Sequence, residues 1–379
     1  MNTLQEAYNK AIIVLENCAK RFGFNASGLE GGYEGLWARD SMITSLGASL
    51  ADKKFKNPFQ KSLELLSKNQ SSLGQIPNAV GDYNTDRKSR ITFNTIDSTL
   101  WYIIGNFAYA KAYNDKTLLE KFQKNIDEAF LWLKYQDPNE DGMLAQQPTM
   151  DWQDAFPHKY GRTINTHALY YAALNMFGQN KLAERIKKII NGDIEKYLSL
   201  YDEKLGYYIP WAWKNHDGER EQEEWFDVLG NLLAIVSGLA TPKIAKSILK
   251  HIEDKKINKP YPCKALFPPI KPGDKEWHSY FSKCLAKIPY QYLNGGVWPF
   301  IGAFYVAALV KVKNFEKAET ELNNLAQANK LGTDREWEFN EWLDGKNGKP
   351  KGTPYQGWSA GAYIYAFECL EKREALFFS

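Results

Sequence analysis

Cysteine and histidine are scarce in this sequence, with four and five residues among 379. The histidines show no metal-binding spacing such as an i, i+4 pair, and no glycine-rich phosphate loop occurs. We therefore expect no metal, nucleotide or flavin cofactor. In a chain of this length, cysteines without metal-ligand spacing are typical of free thiols. The four are Cys18, Cys263, Cys284 and Cys369.

Long apolar runs and charge of one sign are also missing. No segment approaches the roughly 20 apolar residues of a membrane span, and the run Ala11 to Leu15 is too short for a signal-peptide core. The 48 basic and 45 acidic residues leave a net charge of +3, too balanced for an electrostatic nucleic-acid footprint. These absences predict a cytoplasmic protein without a membrane or nucleic-acid partner. They leave the oligomeric state undetermined.

Helical periodicity recurs along the whole chain. It predicts twelve helices, at about 2–21, 39–52, 58–69, 95–113, 117–135, 164–177, 179–198, 226–238, 241–253, 297–312, 315–329 and 357–371. Short connections inside hairpins alternate with long ones rich in aromatics and acids, which predicts an all-α (α/α)6 barrel, a six-hairpin toroid with these loops on one rim. No linker divides the sequence. We expect one domain over 1–379, with an irregular insertion at about 254–296 that shapes or covers the pocket.

Aromatic residues are abundant: 12 Trp, 22 Tyr and 20 Phe. Two distant stretches set carboxylates among them, M-D-W-Q-D-A-F at 150–156 and F-N-E-W-L-D-G at 339–345. Cleavage of a sugar–oxygen bond needs two carboxyl groups facing each other across the ring, and aromatic walls suit the apolar faces of the sugar. The two stretches therefore predict a glycoside hydrolase.

A third motif, W-A-R-D-S at 37–41, suggests how a sugar is held. It resembles the W-x-R-D-S pattern of glucoamylases, of the amylo-1,6-glucosidase domain of glycogen debranching enzymes, and of neutral/alkaline invertases. The resemblance implies that Arg39 and Asp40 hold the nonreducing-end sugar beside the Trp37 platform. A surface salt bridge is the alternative for an adjacent Arg and Asp.

Two further patterns follow in the same order. N-T-I-D-S-T-L-W at 94–101 is similar to a debranching-enzyme pattern, which implies that Asp97 and Trp101 belong to the sugar pocket; a helix N-terminal charge is the alternative for Asp97. Y-L-N-G-G-V-W-P at 292–299 is similar to the invertase pattern Y-H-N-G-G-S-W-P, and implies roles for Asn294 and Trp298. It departs at Leu293, where those families carry His. The same residues also suit a tight turn into a helix.

The acid-bearing stretches complete the resemblance. W-Q-D-A at 152–155 resembles the debranching W-M-D-A pattern, which implies Asp154 as general acid with Trp152 and Arg162 nearby. Asp151 is its rival. His167, on the following helix, has either a structural role or a place at the pocket rim.

The second stretch, E-W-L-D-G at 341–345, resembles the debranching E-x-x-D-G pattern ahead of a Q-x-W helix start. This implies Glu341 as general base, with Gln356 and Trp358 as sugar contacts; Glu336 and Glu338 are alternatives.

The resemblance implies a single displacement with inversion, since the invertase and debranching families invert. We expect burial against Trp152 and Phe156 to raise the pKa of Asp154, and a wetter or hydrogen-bonded setting to keep Glu341 ionised. The compact chain favours a small soluble α-glucoside, either sucrose or a short α-gluco-oligosaccharide. The alternatives are a glucosylated or mannosylated small acid held by Lys159 and Arg162, a catalytically silent sugar-binding barrel, and a toroid of lyase or cyclase chemistry.

Overall fold

Helices make up most of the architecture. The computed structural model describes residues 3–81, 89–216 and 219–378. The α-helices found there are α1 (Thr3–Cys18), α2 (Ala38–Ala51), α3 (Lys56–Lys68), α4 (Ile96–Tyr113), α5 (Thr117–Lys121), α6 (Gln123–Lys134), α7 (Ile164–Met176), α8 (Asn180–Asn191), α9 (Val228–Ser237), α10 (Pro242–Asp254), α11 (Pro299–Lys311), α12 (Phe315–Lys330) and α13 (Gly357–Lys372). All twelve predicted helical segments are confirmed, and the one predicted over 117–135 is divided at Phe122.

Six of these helices form a closed ring. Around it α2, α4, α7, α9, α11 and α13 contact one another in succession, and α13 returns to α2. Outside the ring, α1 packs on α13, α3 on α2, α8 on α7 and α12 on α11. This arrangement confirms the predicted (α/α)6 barrel.

The two layers follow from the apolar pattern of their helices. The ring helix α11 is buried without interruption from Pro299 to Val310, so it is apolar on every side. The outer helix α8 buries only one stripe, Ala183, Ile186, Ile189 and Ile190. Spacings of three and four residues place such a stripe on one face of a helix, which covers the ring while the other face meets water.

The connections place all long loops at one end of the ring. Short turns such as 177–179 lead from a ring helix to the next outer helix, and long segments such as 135–163 lead back to the start of a ring helix. Five of the six expected short connections exist, because the sixth hairpin pairs α13 with α1 from the two ends of the chain. Since each long loop enters a ring helix at its N-terminus, these N-termini and the loops share one rim.

Short antiparallel strands brace the loops. They are β1 (Ala19–Lys20), β2 (Gly23–Phe24), β3 (Leu36–Trp37), β4 (Ala79–Val80), β5 (Ile91–Thr92), β6 (Arg162–Thr163), β7 (Tyr201–Asp202), β8 (Tyr207–Tyr208), β9 (Trp211–His216), β10 (Glu219–Gln222), β11 (Phe226–Asp227), β12 (Leu266–Phe267), β13 (Trp342–Leu343) and β14 (Pro350–Lys351). The sheets have the orders β3-β4-β5 and β10-β9-β6, with separate pairs β1-β2, β7-β8, β11-β12 and β13-β14. Because β3, β6 and β11 run directly into α2, α7 and α9, the sheets fix where those ring helices begin.

The predicted insertion lies against the loop that carries Asp154. It contains β12 and two 3-10 helices, Ser279–Lys283 and Leu285–Lys287. The Phe281 ring lies 4.4 Å from that of Phe156, and His278 stacks on His158 at 4.1 Å. The insertion therefore shapes the rim beside the acid, whereas the single domain over 1–379 stays a prediction.

Two further sequence expectations concern cysteines and membranes. Cys18, Cys263, Cys284 and Cys369 are all free, as predicted, and the first two and the last are buried. Across the described ranges, no helix has the length and apolar character needed to cross a bilayer.

Candidate active site

One cavity opens where α2, α11 and α13 begin. It is concave and combines aromatic walls with a few polar groups, as small-molecule sites do. The residues that line it are Ala26, Tyr33, Trp37, Arg39, Asp40, Trp152, Asp154, Tyr292, Leu293, Trp298, Glu341, Gln356 and Trp358. Nine of them are residues that the sequence motifs single out, and both predicted catalytic carboxyl groups are among the nine.

Tryptophan rings form much of the cavity wall. The ring of Trp298 lies 5.6 Å from Trp152 and 5.7 Å from Trp358, edge to face in both pairs. The indole N–H of Trp298 donates to the Tyr292 carbonyl at 3.1 Å, which holds this ring in place. Such flat apolar walls suit the C–H faces of a sugar ring.

Four buried polar atoms of the lining residues have no hydrogen-bond partner in the described protein. They are Nε of Arg39, Nε1 of Trp152, Nε2 of Gln356 and Nε1 of Trp358. All four carry N–H groups, and a buried donor without a partner costs about 1–3 kcal/mol. Hydroxyl oxygens of a bound sugar would accept from them.

Across the described ranges, the cavity included, no group of three His, Cys, Asp or Glu side chains is arranged to hold a metal ion.

Arg39 joins three carboxylates. Its Nη1 donates to Asp97 at 3.0 Å, its Nη2 lies 3.8 Å from Asp154, and its Nε lies 3.8 Å from Asp40. Burial raises the pKa of Asp40 to about 7 against the opposing effect of Arg39, and the charge of Asp154 adds to the rise. The guanidinium is thus oriented from behind by Asp97 while two further acids stand beside it.

Asp154 reaches the cavity from the loop between α6 and α7. Its side chain is 28 % exposed. The surrounding protein desolvates the carboxyl and raises its pKa to about 6, although Arg39 opposes the rise; the charges of Asp97 and Asp151 add to it. The direction agrees with the expectation for a group that must hold a proton near neutral pH.

Glu341 enters the cavity just before β13, in a drier setting than we expected. The residue is 8 % exposed, less than the Asp154 side chain, because Thr353 and Gly352 of the following hairpin cover it. Its Oε2 accepts the Thr353 N–H at 3.1 Å. Burial raises its pKa to about 7; the Thr353 N–H and the Tyr33 side chain oppose the rise, and the charges of Asp40 and Asp154 add to it. The prediction of a wetter setting is wrong, but that of a hydrogen-bonded one is right.

Four predicted site residues lie outside this cavity. Asp97 is fully buried and contacts Arg39, so it acts one layer behind the wall. Trp101 is buried in the ring, 6.2 Å from Phe304 of α11, because its place on the second turn of α4 directs it to the core. Neither side chain lines the cavity, contrary to the sequence expectation.

Arg162 and Asn294 are the other two. Arg162 forms an ion pair with Asp141 and lines a separate open cavity beside Tyr197 and Trp213. The fully buried Asn294 accepts the Ile270 N–H at 2.8 Å and donates to the Ile270 and Ala286 carbonyls at 2.8 and 2.9 Å. Its amide therefore ties residues 270 and 286 of the insertion to the Gly-Gly turn near the end of the same segment.

The alternative acids are occupied elsewhere. Asp151 pairs with Lys159 at 2.8 Å, so neither of these two lines the cavity. Glu338 accepts backbone N–H groups of residues 333–335, and Glu336 is exposed and pairs with Lys330. The geometry thus separates Asp154 and Glu341 from the acids that could have replaced them.

His167 has a structural position. Its Nδ1 lies 2.7 Å from the Thr163 carbonyl within α7, and burial lowers its pKa to about 4. The side chain is therefore neutral and fully buried, and it does not line the cavity.

Sequence reasoning missed Ala26, Tyr33 and Tyr292, and noted Leu293 only as a departure from a pattern. Tyr33 follows two glycines and Tyr292 precedes the N-G-G turn, so turn-borne aromatics beside motifs were the available signal. Burial raises the pKa of Tyr33 to about 12, and the charges of Glu341 and Asp40 add to this rise. Tyr33 is a neutral hydroxyl beside the predicted base.

Comparisons with known proteins converge on carbohydrate enzymes. Residues 23–365 match the model of the family described as amylo-alpha-1,6-glucosidase. Similar proteins include the probable alkaline/neutral invertase A, chloroplastic, of Arabidopsis thaliana (24 % identity over 342 residues, 74 % of this chain and 51 % of that protein). The cytosolic invertase 1 of Oryza sativa subsp. japonica shares 32 % over 152 residues, 39 % of this chain and 26 % of that protein. The chain spans about half the length of the first of these.

Among solved structures, the chain resembles a GH63 mannosylglycerate hydrolase from Thermus thermophilus, crystallised with Tris and D-glycerate. The TM-score is 0.68 at 14 % identity, over 94 % of this chain and 99 % of the other. At this identity the likeness concerns the fold, and it supports the six-hairpin architecture.

Proposed function

The chain belongs to the amylo-alpha-1,6-glucosidase family of glycosidases, and we propose that it hydrolyses a small soluble α-glucoside with inversion. The observation that carries the proposal is the meeting of Asp154 and Glu341 in one cavity with tryptophan walls. Two carboxyl groups in such a setting suit an oxocarbenium-like transition state. The four unpaired N–H donors at the same wall suit sugar hydroxyls.

The reaction is a single displacement. Asp154 donates its proton to the glycosidic oxygen while the bond from that oxygen to the anomeric carbon breaks. A water attacks the same carbon from the opposite face and gives its proton to Glu341. An inverting pair needs about 6.5–9.5 Å between its carboxyl groups to admit this water. The raised pKa of Asp154 suits a proton donor near neutral pH.

Substrate recognition is assigned to the same wall. Arg39 offers a planar donor fork and Asp40 an acceptor, a combination that grips neighbouring hydroxyls. The aromatic walls and the few convergent polar groups of the cavity suit a small ligand. Sucrose or a short α-gluco-oligosaccharide is therefore the proposed substrate, and the cytoplasm remains the predicted compartment.

A second candidate is hydrolysis of a glucosylated or mannosylated small acid. The fold likeness to the mannosylglycerate hydrolase favours it. The contacts of Lys159 and Arg162 count against it, because both expected carboxylate holders are paired with acids of this chain. Of the residues described, Arg39 is the cation that lines the cavity.

Proton NMR of the purified protein tests these proposals. The panel contains sucrose, maltose, isomaltose, trehalose and glucosylglycerate, followed from the first minutes. Initial release of β-glucose from an α-glucoside is the expected result, and hydrolysis of glucosylglycerate alone would select the second candidate. Initial α-glucose would overturn inversion. Binding of a sugar without hydrolysis would mean a catalytically silent barrel.

A further inference from the structure

Asp151, Lys159 and Asp227 form a buried ion cluster outside the cavity. The Lys159 Nζ lies 2.8 Å from Asp151 Oδ2 and 2.9 Å from Asp227 Oδ2. The three side chains are only 1 %, 0 % and 0 % exposed, in the order Lys159, Asp151, Asp227. A lysine so fully buried is uncommon unless it is paired, and here two carboxylates compensate its charge.

The cluster closes the loop that carries the proposed acid. Asp151 and Lys159 are the two ends of the segment 151–159, and Asp154 lies between them. Within this loop, Lys159 also donates to Gln153 Oε1 at 2.7 Å, and Asp151 accepts the Gln153 N–H at 2.9 Å. The residues on both sides of Asp154 are therefore tied to one ammonium group.

Asp227 anchors this loop to the ring. It is the N-cap of α9, where its Oδ1 accepts the Gly230 N–H at 3.1 Å. Its other oxygen accepts from Lys159. The acid loop is thus fastened to the start of a ring helix by a charge-assisted hydrogen bond, which is shorter and stronger than a neutral one.

Stability alone does not account for the cluster. A buried ion pair is often no more stabilising than apolar residues of similar volume, since desolvation offsets the attraction between the charges. What it does supply is a defined geometry, and a proton donor must lie within hydrogen-bond reach of the oxygen that it protonates.

We propose that Asp151, Lys159 and Asp227 are positioning residues that hold the Asp154 carboxyl where it can protonate the leaving oxygen. This inference rests on the proposed function, because it assigns the cluster to the acid half of the reaction. None of the three touches the cavity, so their effect passes through the loop 151–159. The attack of water assisted by Glu341 does not depend on them.

Leaving-group chemistry separates the two halves of the reaction. Fluoride departs from α-glucosyl fluoride as an anion without being protonated, whereas a sugar leaving group needs the proton of Asp154. The variants Lys159→Met and Asp227→Asn are assayed on the fluoride and on the disaccharide that the wild type hydrolyses. Asn retains the capping of α9, so Asp227→Asn keeps the test available should Lys159→Met fail to fold.

We expect both variants to lose about 10²-fold in kcat on the disaccharide, the scale of general acid catalysis, and less than about tenfold on the fluoride. Equal losses on both substrates, or no loss on either, would overturn the positioning role. Lys317→Met is the matched control. Lys317 lies on the outer helix α12 and also faces two carboxylates, Glu253 at 3.6 Å and the fully buried Glu321 at 3.4 Å. Its kcat should remain unchanged on both substrates.

Asp154→Asn is the reference that separates the two proposals. Asp154→Asn should lose much more activity on the disaccharide than on the fluoride. If it does so while the cluster variants lose both activities equally, only the positioning inference fails. If Asp154→Asn itself loses both activities equally, the proposed role of Asp154 as acid fails.

Discussion

Arg39 lies between the proposed acid and a fully buried partner: its Nη2 is 3.8 Å from Asp154 and its Nη1 is 3.0 Å from Asp97. Burial raises the pKa of Asp154; the guanidinium opposes this rise and the Asp97 charge adds to it. One side chain thereby links sugar binding to the protonation of the acid.

Removal of either proposed catalytic carboxyl is the first prediction. Asp154→Asn or Glu341→Gln should reduce kcat on the disaccharide by about 10²–10⁴-fold, because each variant deletes one proton transfer. Initial rates of sugar release measure this. Glu336→Gln is the control, since Glu336 is exposed and pairs with Lys330. Near-normal turnover in a folded Asp154 or Glu341 variant would refute that residue's role.

The pH profile of kcat/KM should be a narrow bell. The pKa of Asp154 is about 6 and that of Glu341 about 7, so the maximum should lie midway, at about pH 6.5. Activity needs Asp154 protonated and Glu341 ionised, yet Glu341 has the higher pKa of the two and holds its proton more tightly than Asp154 does. A flat profile from pH 5 to 8 would contradict this.

Stability should fall as the pH rises through the same range. The pKa of Glu341 is raised in the folded state, so its contribution is fully present below the unfolded value of about 4.3 and is lost as the pH rises through about 7. At pH 8, Glu341→Gln should therefore have a higher melting temperature than the wild type. Its free energy of unfolding should be larger by on the order of 1–3 kcal/mol. Near pH 4 this gain should disappear.

Glu338→Gln serves as the opposite control for the stability experiment. Backbone N–H groups lower the pKa of Glu338 despite the opposing effect of its burial, so its contribution is present above the unfolded value and lost in acid. This variant should be destabilised at pH 8. A stabilised Glu338→Gln, or a Glu341→Gln that loses stability at pH 8, would contradict the assigned signs.

Gly352 is predicted to be essential for placing Glu341. Its φ is +72°, and an added Cβ would lie 2.5 Å from Oε2 of Glu341. Gly352→Ala should displace the base and lower kcat by at least about tenfold, since small misplacements of catalytic groups are costly. Gly178→Ala is a matched control, because it has a similar φ of +80° and no atom within 4 Å of the added Cβ. Both variants bear similar backbone strain, so equal activities would refute the steric role.

Two arginines should respond differently to the same change. Arg39→Lys removes a planar fork from the cavity and should raise KM by about 10–100-fold, the scale of hydrogen bonds to charged groups. Arg162→Lys should leave KM within about twofold, because Arg162 pairs with Asp141 and lies outside the cavity. Steady-state kinetics on one substrate decide this. A large rise in KM for Arg162→Lys would restore the sequence-based assignment.

The positions of the helical segments, the alternation of short and long connections, and the (α/α)6 class were readable in the sequence, whereas the division of the segment 117–135 into two helices was not. Apolar spacing is a local property: α8 has one buried stripe and α11 is apolar throughout. Arg39, Asp40, Asp154 and Glu341 are likewise each carried by a short motif that resembles those of the debranching and invertase families. For this reason the candidate acids could be placed on the chain without the fold.

Only the tertiary structure decided which motif residues face the cavity. Trp101 points into the core and Asn294 binds the insertion, although both stand in motifs beside cavity residues. The same limit applied to exposure, where Glu341 proved drier than expected because the hairpin that follows it folds back over its carboxyl.

The sequence by itself determined the fold class and the chemical types available, because periodicity and residue identity are local. The contacts of Lys159 required the structure. Nothing local distinguishes a lysine that binds substrate from one held by Asp151 and Asp227, since Asp227 lies 68 residues further along the chain. Burial, pKa and partner choice depend on segments far apart in the chain, and these meet only when the ring of helices closes.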